Sequence, residues 1–285
     1  MSSQTTVPSD RVAVIIPAYR LVEMTQTAVR DCQRERDVVD VIVIDNKGDY
    51  APVDDERVVR PGENLGWLRA TNLGCALADR HGAYLGLVAL NNDTRLSPTF
   101  FAGLVSASRS TPAAGLIAPC YDDVVSVQSS YYRGAPDSFP AQDCEATVKL
   151  IDGTCYLIPT SVYRRVGALD EANFGRRGWG AIEDYCLRVR AMGLEVVVTR
   201  RAYLAHSQGR TATATRSNYE RYAASEFRRG MRRKWGSSWQ TSFDAGTVPQ
   251  NSRGDRLRDV VRHVEDRLGL SETRVGGGLL RSSRR

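Results

Sequence analysis

An α/β fold with a mostly parallel, Rossmann-like central sheet flanked by helices is predicted by near-continuous apolar runs that end in polar turns, with helical stretches between them. Three runs carry the prediction: Arg11-Val12-Ala13-Val14-Ile15-Ile16-Pro17, Val38-Val39-Asp40-Val41-Ile42-Val43-Ile44 and Ala83-Tyr84-Leu85-Gly86-Leu87-Val88-Ala89-Leu90. Strands this apolar on successive residues need cover on both faces, as parallel strands between helix layers have. Strand, helix and strand joined by short links form a βαβ unit, and open sheets of this kind bind ligands outside the carboxyl ends of their strands.

In chain order, residues 1–10 are polar and expected to be disordered. The first strand gives way to Ala18-Tyr19-Arg20 and a helix over about 21–36; the second ends at Asp45 in the turn signal Asp45-Asn46-Lys47-Gly48-Asp49. Pro17, Ala18, Tyr19 and Asp45 should therefore meet at one crevice. A weak strand at 57–60 leads into Gly62-Glu63-Asn64-Leu65-Gly66-Trp67, whose glycines and asparagines let backbone approach a ligand, and a helical face starts at Leu68. No G-x-G-x-x-G is present. The third long strand stops at Asn91-Asn92-Asp93-Thr94, and Ser97-Pro98 reads as an N-cap with proline at the first helical position, opening a helix to about Ser110.

Residues 115–119 form another strand, and 121–142 lack periodicity, as functional or mobile loops do. Order returns over 146–159, followed by a short helix over 161–166. The stretch Phe174-Gly175-Arg176-Arg177-Gly178-Trp179-Gly180-Ala181-Ile182-Glu183-Asp184 then puts two adjacent carboxylates in the first turn of a helix, where the dipole favours negative charge. Helix capping alone explains two such acids as readily as a site does. That helix ends at Gly193 and passes into a strand over 194–198. An arginine-rich helix follows over 217–234, an amphipathic stripe over 256–268 and a basic tail.

The 285 residues are 42% apolar and a quarter charged, an ordinary globular composition. No apolar run approaches the ~20 residues of a membrane-spanning helix, and the start has no signal-peptide pattern; a cytoplasmic protein is expected, with the inner membrane face as a peripheral option for the basic helix. The net charge of +6 is carried by arginine, with Lys47, Lys149 and Lys234 the only lysines. The basic residues are dispersed, which argues against nucleic acid as the partner. Six cysteines without C-x-x-C spacing indicate neither a zinc site nor a disulfide framework.

Taken in order, Val14-Ile15-Ile16-Pro17-Ala18-Tyr19, Val43-Ile44-Asp45-Asn46, Glu63-Asn64-Leu65-Gly66 through Asn72-Leu73-Gly74, Leu90-Asn91-Asn92-Asp93, Asp152-Gly153-Thr154, Trp179-Gly180-Ala181-Ile182-Glu183-Asp184, and His206 before Lys234-Trp235-Gly236 resemble the family 2 glycosyltransferases of the GT-A fold. The resemblance covers about residues 11–236. It implies a GT-A domain at 11–236 with a nucleotide-sugar half (11–120) and an acceptor half (121–236), a helical C-terminal extension at 237–270 and a disordered basic tail at 271–285. It further implies an inverting, metal-dependent transfer of a sugar from a UDP, dTDP or GDP donor to a hydroxyl acceptor. Pro17, Ala18, Tyr19, Arg20, Asp45, Asn64, Gly66, Asn72, Asn91, Asn92 and Asp93 would bind the nucleotide-sugar, and Gly153, Trp179 and Gly180 the acceptor. Asp93 and His206 would hold Mn2+ or Mg2+, and Asp184 would be the base, supported by Glu183. Gly178 and Gly180 would free the loop to close over the donor. The family's Asp-x-Asp is here Asn91-Asn92-Asp93, so one carboxylate is missing. Alternatives are a retaining transferase, a sugar nucleotidyltransferase, or a non-catalytic homologue that binds nucleotide or protein. A homodimer through the C-terminal helices is a candidate assembly.

Overall fold

In β1 (Val12–Ala18) every residue is buried, and the side chains divide by parity: Val12, Val14 and Ile16 enter one core cluster, Ala13 and Ile15 another. The period of two that separates them is the pleat of a strand, and burial on both faces is what its unbroken apolar sequence requires. The computed structural model describes residues 10–81, 84–122, 127–206 and 219–245. After β1 come α1 (Val22–Gln33), β2 (Val39–Asp45), β3 (Arg57–Val59), α2 (Gly66–His81), β4 (Gly86–Leu90), β5 (Thr94–Leu96), α3 (Phe100–Ser110) and β6 (Ala114–Tyr121). The second half contains β7 (Glu145–Val148), β8 (Cys155–Pro159), α4 (Thr160–Val166), α5 (Glu171–Phe174), α6 (Ala181–Ala191), β9 (Glu195–His206), α7 (Tyr219–Trp235) and α8 (Trp239–Ala245).

One nine-stranded sheet results, in the order β3-β2-β1-β4-β8-β6-β9-β5, with β7 paired to β9. Strands β3, β2, β1, β4, β6 and β9 run one way, while β8, β5 and β7 run against them. The mostly parallel sheet is as expected. On one face Val29 and Cys32 of α1 and Phe100, Phe101 and Leu104 of α3 cover the sheet. The other face is covered by α2, α4 and α6, with Met231 of α7 and Trp239 of α8 joining the same cluster as Tyr185 and Leu187. No helix among the described residues is long and apolar enough to cross a membrane.

Three local readings are corrected. Ser97 does not cap α3: the N-cap is Thr99, in a left-handed conformation, and the Ser97 hydroxyl accepts the backbone N–H of Tyr203. The hydroxyl does satisfy an orphan amide, but on β9 rather than on its own helix. Part of the 121–142 segment is packed: Tyr132, Phe139 and Tyr203 form an aromatic cluster, and Gln128 is buried. The strand after α6 continues to His206, well past the expected end at 198. The expected 1–10 and 271–285 tails lie outside the described residues, apart from Asp10, as does the amphipathic stripe at 256–268.

Candidate active site

Parallel β1, β2 and β4 deliver their carboxyl ends to one edge of the sheet. Antiparallel β8 starts there too, because Cys155 pairs with Leu90. The segment Asp152-Gly153-Thr154 therefore lies beside Asn91, whose backbone N–H donates to Thr154 O at 2.9 Å. From the far side β9 ends at the same edge, with His206 paired to Thr94 of β5. That register brings His206 Nε2 within 3.2 Å of Asp93 Oδ1.

The Asp93–His206 pair is the candidate cation site. The Asp93 side chain is buried, and Asp122 Oδ1 accepts the His206 backbone N–H. Burial opposes the imidazolium, but its hydrogen bond to the Asp93 carboxylate and the charges of Asp93, Asp152 and Asp122 overcome it and raise the His206 pKa. A hard carboxylate oxygen and an imidazole nitrogen that already share one proton are a donor set that Mn2+ or Mg2+ fits, the cation taking the proton's place. Two side chains do not complete a coordination sphere, and no group of three or more such ligands occurs among the described residues; oxygens of a diphosphate are the natural complement.

The loop after β1 is strained. Arg20 and Leu21 both adopt left-handed backbone, with φ of 59° and 51°, and Leu21 is the uncapped N-cap of α1. Left-handed non-glycine residues cost of order 1–3 kcal/mol each and cluster at ligand sites. Pro17 and Ala18 end β1 buried; Tyr19 is half-buried beneath the exposed Arg20 guanidinium, 5.3 Å from the ring centroid.

Several expected nucleotide contacts turn inward instead. Asp45 is 2% exposed, and its oxygens accept from the backbone N–H groups of Lys47, Gly48 and Tyr50 and from Arg60 Nε. It builds the turn after β2. Asn64 Oδ1 caps the amide of Gly66, and Gly66, at φ 76°, packs so closely under Arg176 O that no side chain fits. Asn72 donates to Leu169 O and Glu171 Oε1 and accepts from Leu169 N, tying α2 to α5 and the loop before it. Asn92 donates to Thr25 Oγ1 in the interior. Each of these four side chains hydrogen-bonds within the protein's own framework.

Asp184 is engaged in the same way. It is 0% exposed. Arg188 Nε and Lys234 Nζ donate to Oδ2 at 2.9 Å each, and Trp235 Nε1 donates to Oδ1 at 2.8 Å. Lys234 also reaches Asp170 Oδ2 at 2.9 Å. Burial would raise the Asp170 carboxyl, yet Lys234 and Asn173 hold it at about 2. A carboxylate closed to solvent and engaged by three donors is not free to meet an acceptor hydroxyl, so the geometry around Asp184 favours a framework role. Glu183, one residue earlier in the first turn of α6, is half-buried and lacks such partners among the described residues. Burial, then the charges of Asp152 and Asp184, push its carboxyl up to about 7 against the opposing pull of a backbone hydrogen bond.

Gly153 lies against the ring of Trp67, and Gly178 lies against the same ring, where an added Cβ would come within 2.8 Å of Cε3. Gly180, at φ 92°, opens α6 against Phe174 and Phe227, and Trp179 is half-buried between the two glycines. The glycines thus serve close packing, not the loop freedom expected of them. Trp67 Nε1 donates to Asn91 Oδ1 at 2.9 Å. Sequence reasoning missed Trp67, Asp152, Lys234 and Trp235 as site-building residues. All four sit inside the stretches that carried the family resemblance, which was the available signal.

No family model matches the chain. Proteins of Mycobacterium tuberculosis and Mycobacterium bovis, named there only as uncharacterized, are 34% identical over 226 residues, covering 78% of this chain and 85% of theirs. Among solved structures the chain is similar to GalNAc-T7 with UDP, GalNAc and Mn2+ (TM-score 0.59, 12% identity), over 90% of this chain and 55% of that one. It therefore spans about half the length of that transferase. A mannosyltransferase of Pyrobaculum calidifontis in complex with GDP-Man and Mn2+ is also similar (TM-score 0.53, 14% identity), over 94% and 86%. The shared architecture is the GT-A fold.

Proposed function

The chain belongs to one family with the uncharacterized Mycobacterium tuberculosis and Mycobacterium bovis proteins, and from that membership and its GT-A fold we propose that it is an inverting, metal-dependent family 2 glycosyltransferase acting on a nucleoside-diphosphate sugar. The convergence of Asp93 and His206 at the carboxyl edge of the sheet, where the charge of Asp152 acts on both His206 and Glu183, carries the proposal. Residues 11–120 hold the donor and 121–236 the acceptor hydroxyl. Tyr19 and Arg20, in the strained loop, meet the nucleotide, and Trp179 and Gly153 lie on the acceptor side.

Asp93 and His206 would hold the divalent cation, which when bound offsets the charge that grows on the departing diphosphate. Glu183 accepts the proton of the acceptor hydroxyl as that oxygen bonds the anomeric carbon from the face opposite the nucleotide. The bond from that carbon to the diphosphate breaks, and its electron pair leaves with the nucleotide. Asp184 holds α6 in place through Arg188, Lys234 and Trp235.

The test is turnover of UDP-, dTDP- and GDP-sugars with Mn2+, by wild type and by Glu183→Gln. Loss of a general base removes typically 10²–10⁴-fold in rate; the variant should lose about that much while nucleotide affinity stays within about threefold. Wild-type rates in Glu183→Gln would remove Glu183 as the base. No turnover of any donor by wild type would leave a binding protein.

A further inference from the structure

Position 91 departs from the usual acidic pair, and the structure gives the departure a physical meaning. The indole Nε1–H of Trp67 is a donor with no acceptor capacity, so the atom of Asn91 facing it at 2.9 Å must be the carbonyl oxygen. This fixes an amide orientation that is otherwise free to flip. Trp67 is itself held, with Gly153 and Gly178 against its ring. The Asn91 Nδ2 group is thereby turned away from Trp67, and among the described residues it donates to no protein acceptor. Carboxylates flank Asn91 along the chain and across the sheet: Asp93 follows two residues on, and the Asn91 backbone N–H donates to the carbonyl of Thr154, two residues after Asp152.

Resting on the nucleotide-sugar reading above, we propose that Trp67 and Asn91 form a specificity-determining pair, in which Trp67 locks Asn91 with Nδ2 outward as a neutral donor to an anionic oxygen of the donor diphosphate. A carboxylate at position 91 could keep the Trp67 hydrogen bond through one oxygen but would present the other as a second negative charge. The asparagine therefore lowers the dependence of diphosphate binding on the divalent cation. The consequence is read in binding, without turnover.

The experiment is calorimetric titration of UDP, dTDP and GDP into wild type, Asn91→Asp and Trp67→Phe, each in EDTA and in excess Mn2+. Asn91→Asp is nearly isosteric, and Trp67→Phe removes the N–H together with part of the indole that packs against Gly153 and Gly178, so melting temperatures are measured alongside to confirm folding. An added charge a few ångströms from a phosphate in a partly screened site is worth at least a tenfold change in affinity. The ratio of Kd in EDTA to Kd in Mn2+ should thus rise about tenfold or more in Asn91→Asp relative to wild type. Trp67→Phe, with the amide released, should bind about threefold or more weakly in EDTA. An unchanged ratio in Asn91→Asp overturns the inference, and unchanged affinity in Trp67→Phe overturns the part given to Trp67. If wild type binds none of the three nucleotides with or without Mn2+, the nucleotide-sugar reading falls and this inference falls with it.

Discussion

Because burial pushes Glu183 up to about 7, the free protein holds a proton there that the unfolded chain releases near its ordinary value of 4.5. The folded pKa lies above the unfolded one, so this group's contribution to stability is fully present below about 4.5 and is lost as pH rises through about 7. Solvent screening at a half-buried site leaves on the order of 1 kcal/mol of that effect. Urea unfolding of the nucleotide-free protein between pH 4.5 and 8 should show this decline in wild type and not in Glu183→Gln. Activity should run the other way, rising with pH toward neutrality as the base loses its proton. Matching stability slopes in the two proteins would mean that Glu183 has an ordinary pKa. Which of the two neighbouring carboxylates is enclosed was not legible in the sequence. Lys234 and Trp235, which neutralise and enclose Asp184, come from another helix some 50 residues further on.

At the scale of elements, α6 and α7 are joined by a buried ionic cluster: Lys234 bridges Asp184 of α6 and Asp170 before α5. Removing one partner of such a cluster leaves an uncompensated buried charge, which typically costs 3–5 kcal/mol. Lys234→Met should therefore destabilise by about 3 kcal/mol in chemical denaturation, and the double variant with Asp184→Asn should recover part of the loss. Equal stability of Lys234→Met and wild type would show that α7 is not held in this way. The loop between β1 and α1 should respond in the opposite direction. Arg20→Gly relieves one left-handed residue, for a gain of about 1 kcal/mol, but removes a guanidinium from the donor side, so melting temperature should rise while nucleotide affinity falls. A variant no more stable than wild type would argue against strain at Arg20. The long strands could be read in the sequence because both their faces are apolar. Strand β5 could not, since Thr94-Arg95-Leu96 has a charged centre and becomes a strand only through β9. The Ser97-Pro98 signal had the right chemistry, an oxygen seeking an amide, but the amide it found lies 106 residues away.

At the scale of the whole molecule, several of the described arginines serve as ties between elements. Arg95 joins β5 to Asp31 on α1, Arg34 reaches Asp137 and the Leu96 carbonyl, and Arg188 grips the carbonyls of Val166 and Ala168 besides Asp184. The planar fork lets one side chain serve several acceptors at once. Exposed pairs such as Arg36–Asp54 add little to stability; the buried ones set which elements touch. The same economy of distant partners has a kinetic side in the Asp93–His206 pair. Asp93 precedes β5 and His206 ends β9, so the two ligands meet only after the chain between them has formed the second half of the sheet. Contacts this distant in sequence form late, once the loop entropy of closing them has been overcome. Affinity for the proposed divalent cation would then be a property of the finished fold, its two candidate ligands brought together as one of the last events of folding and not as its nucleus.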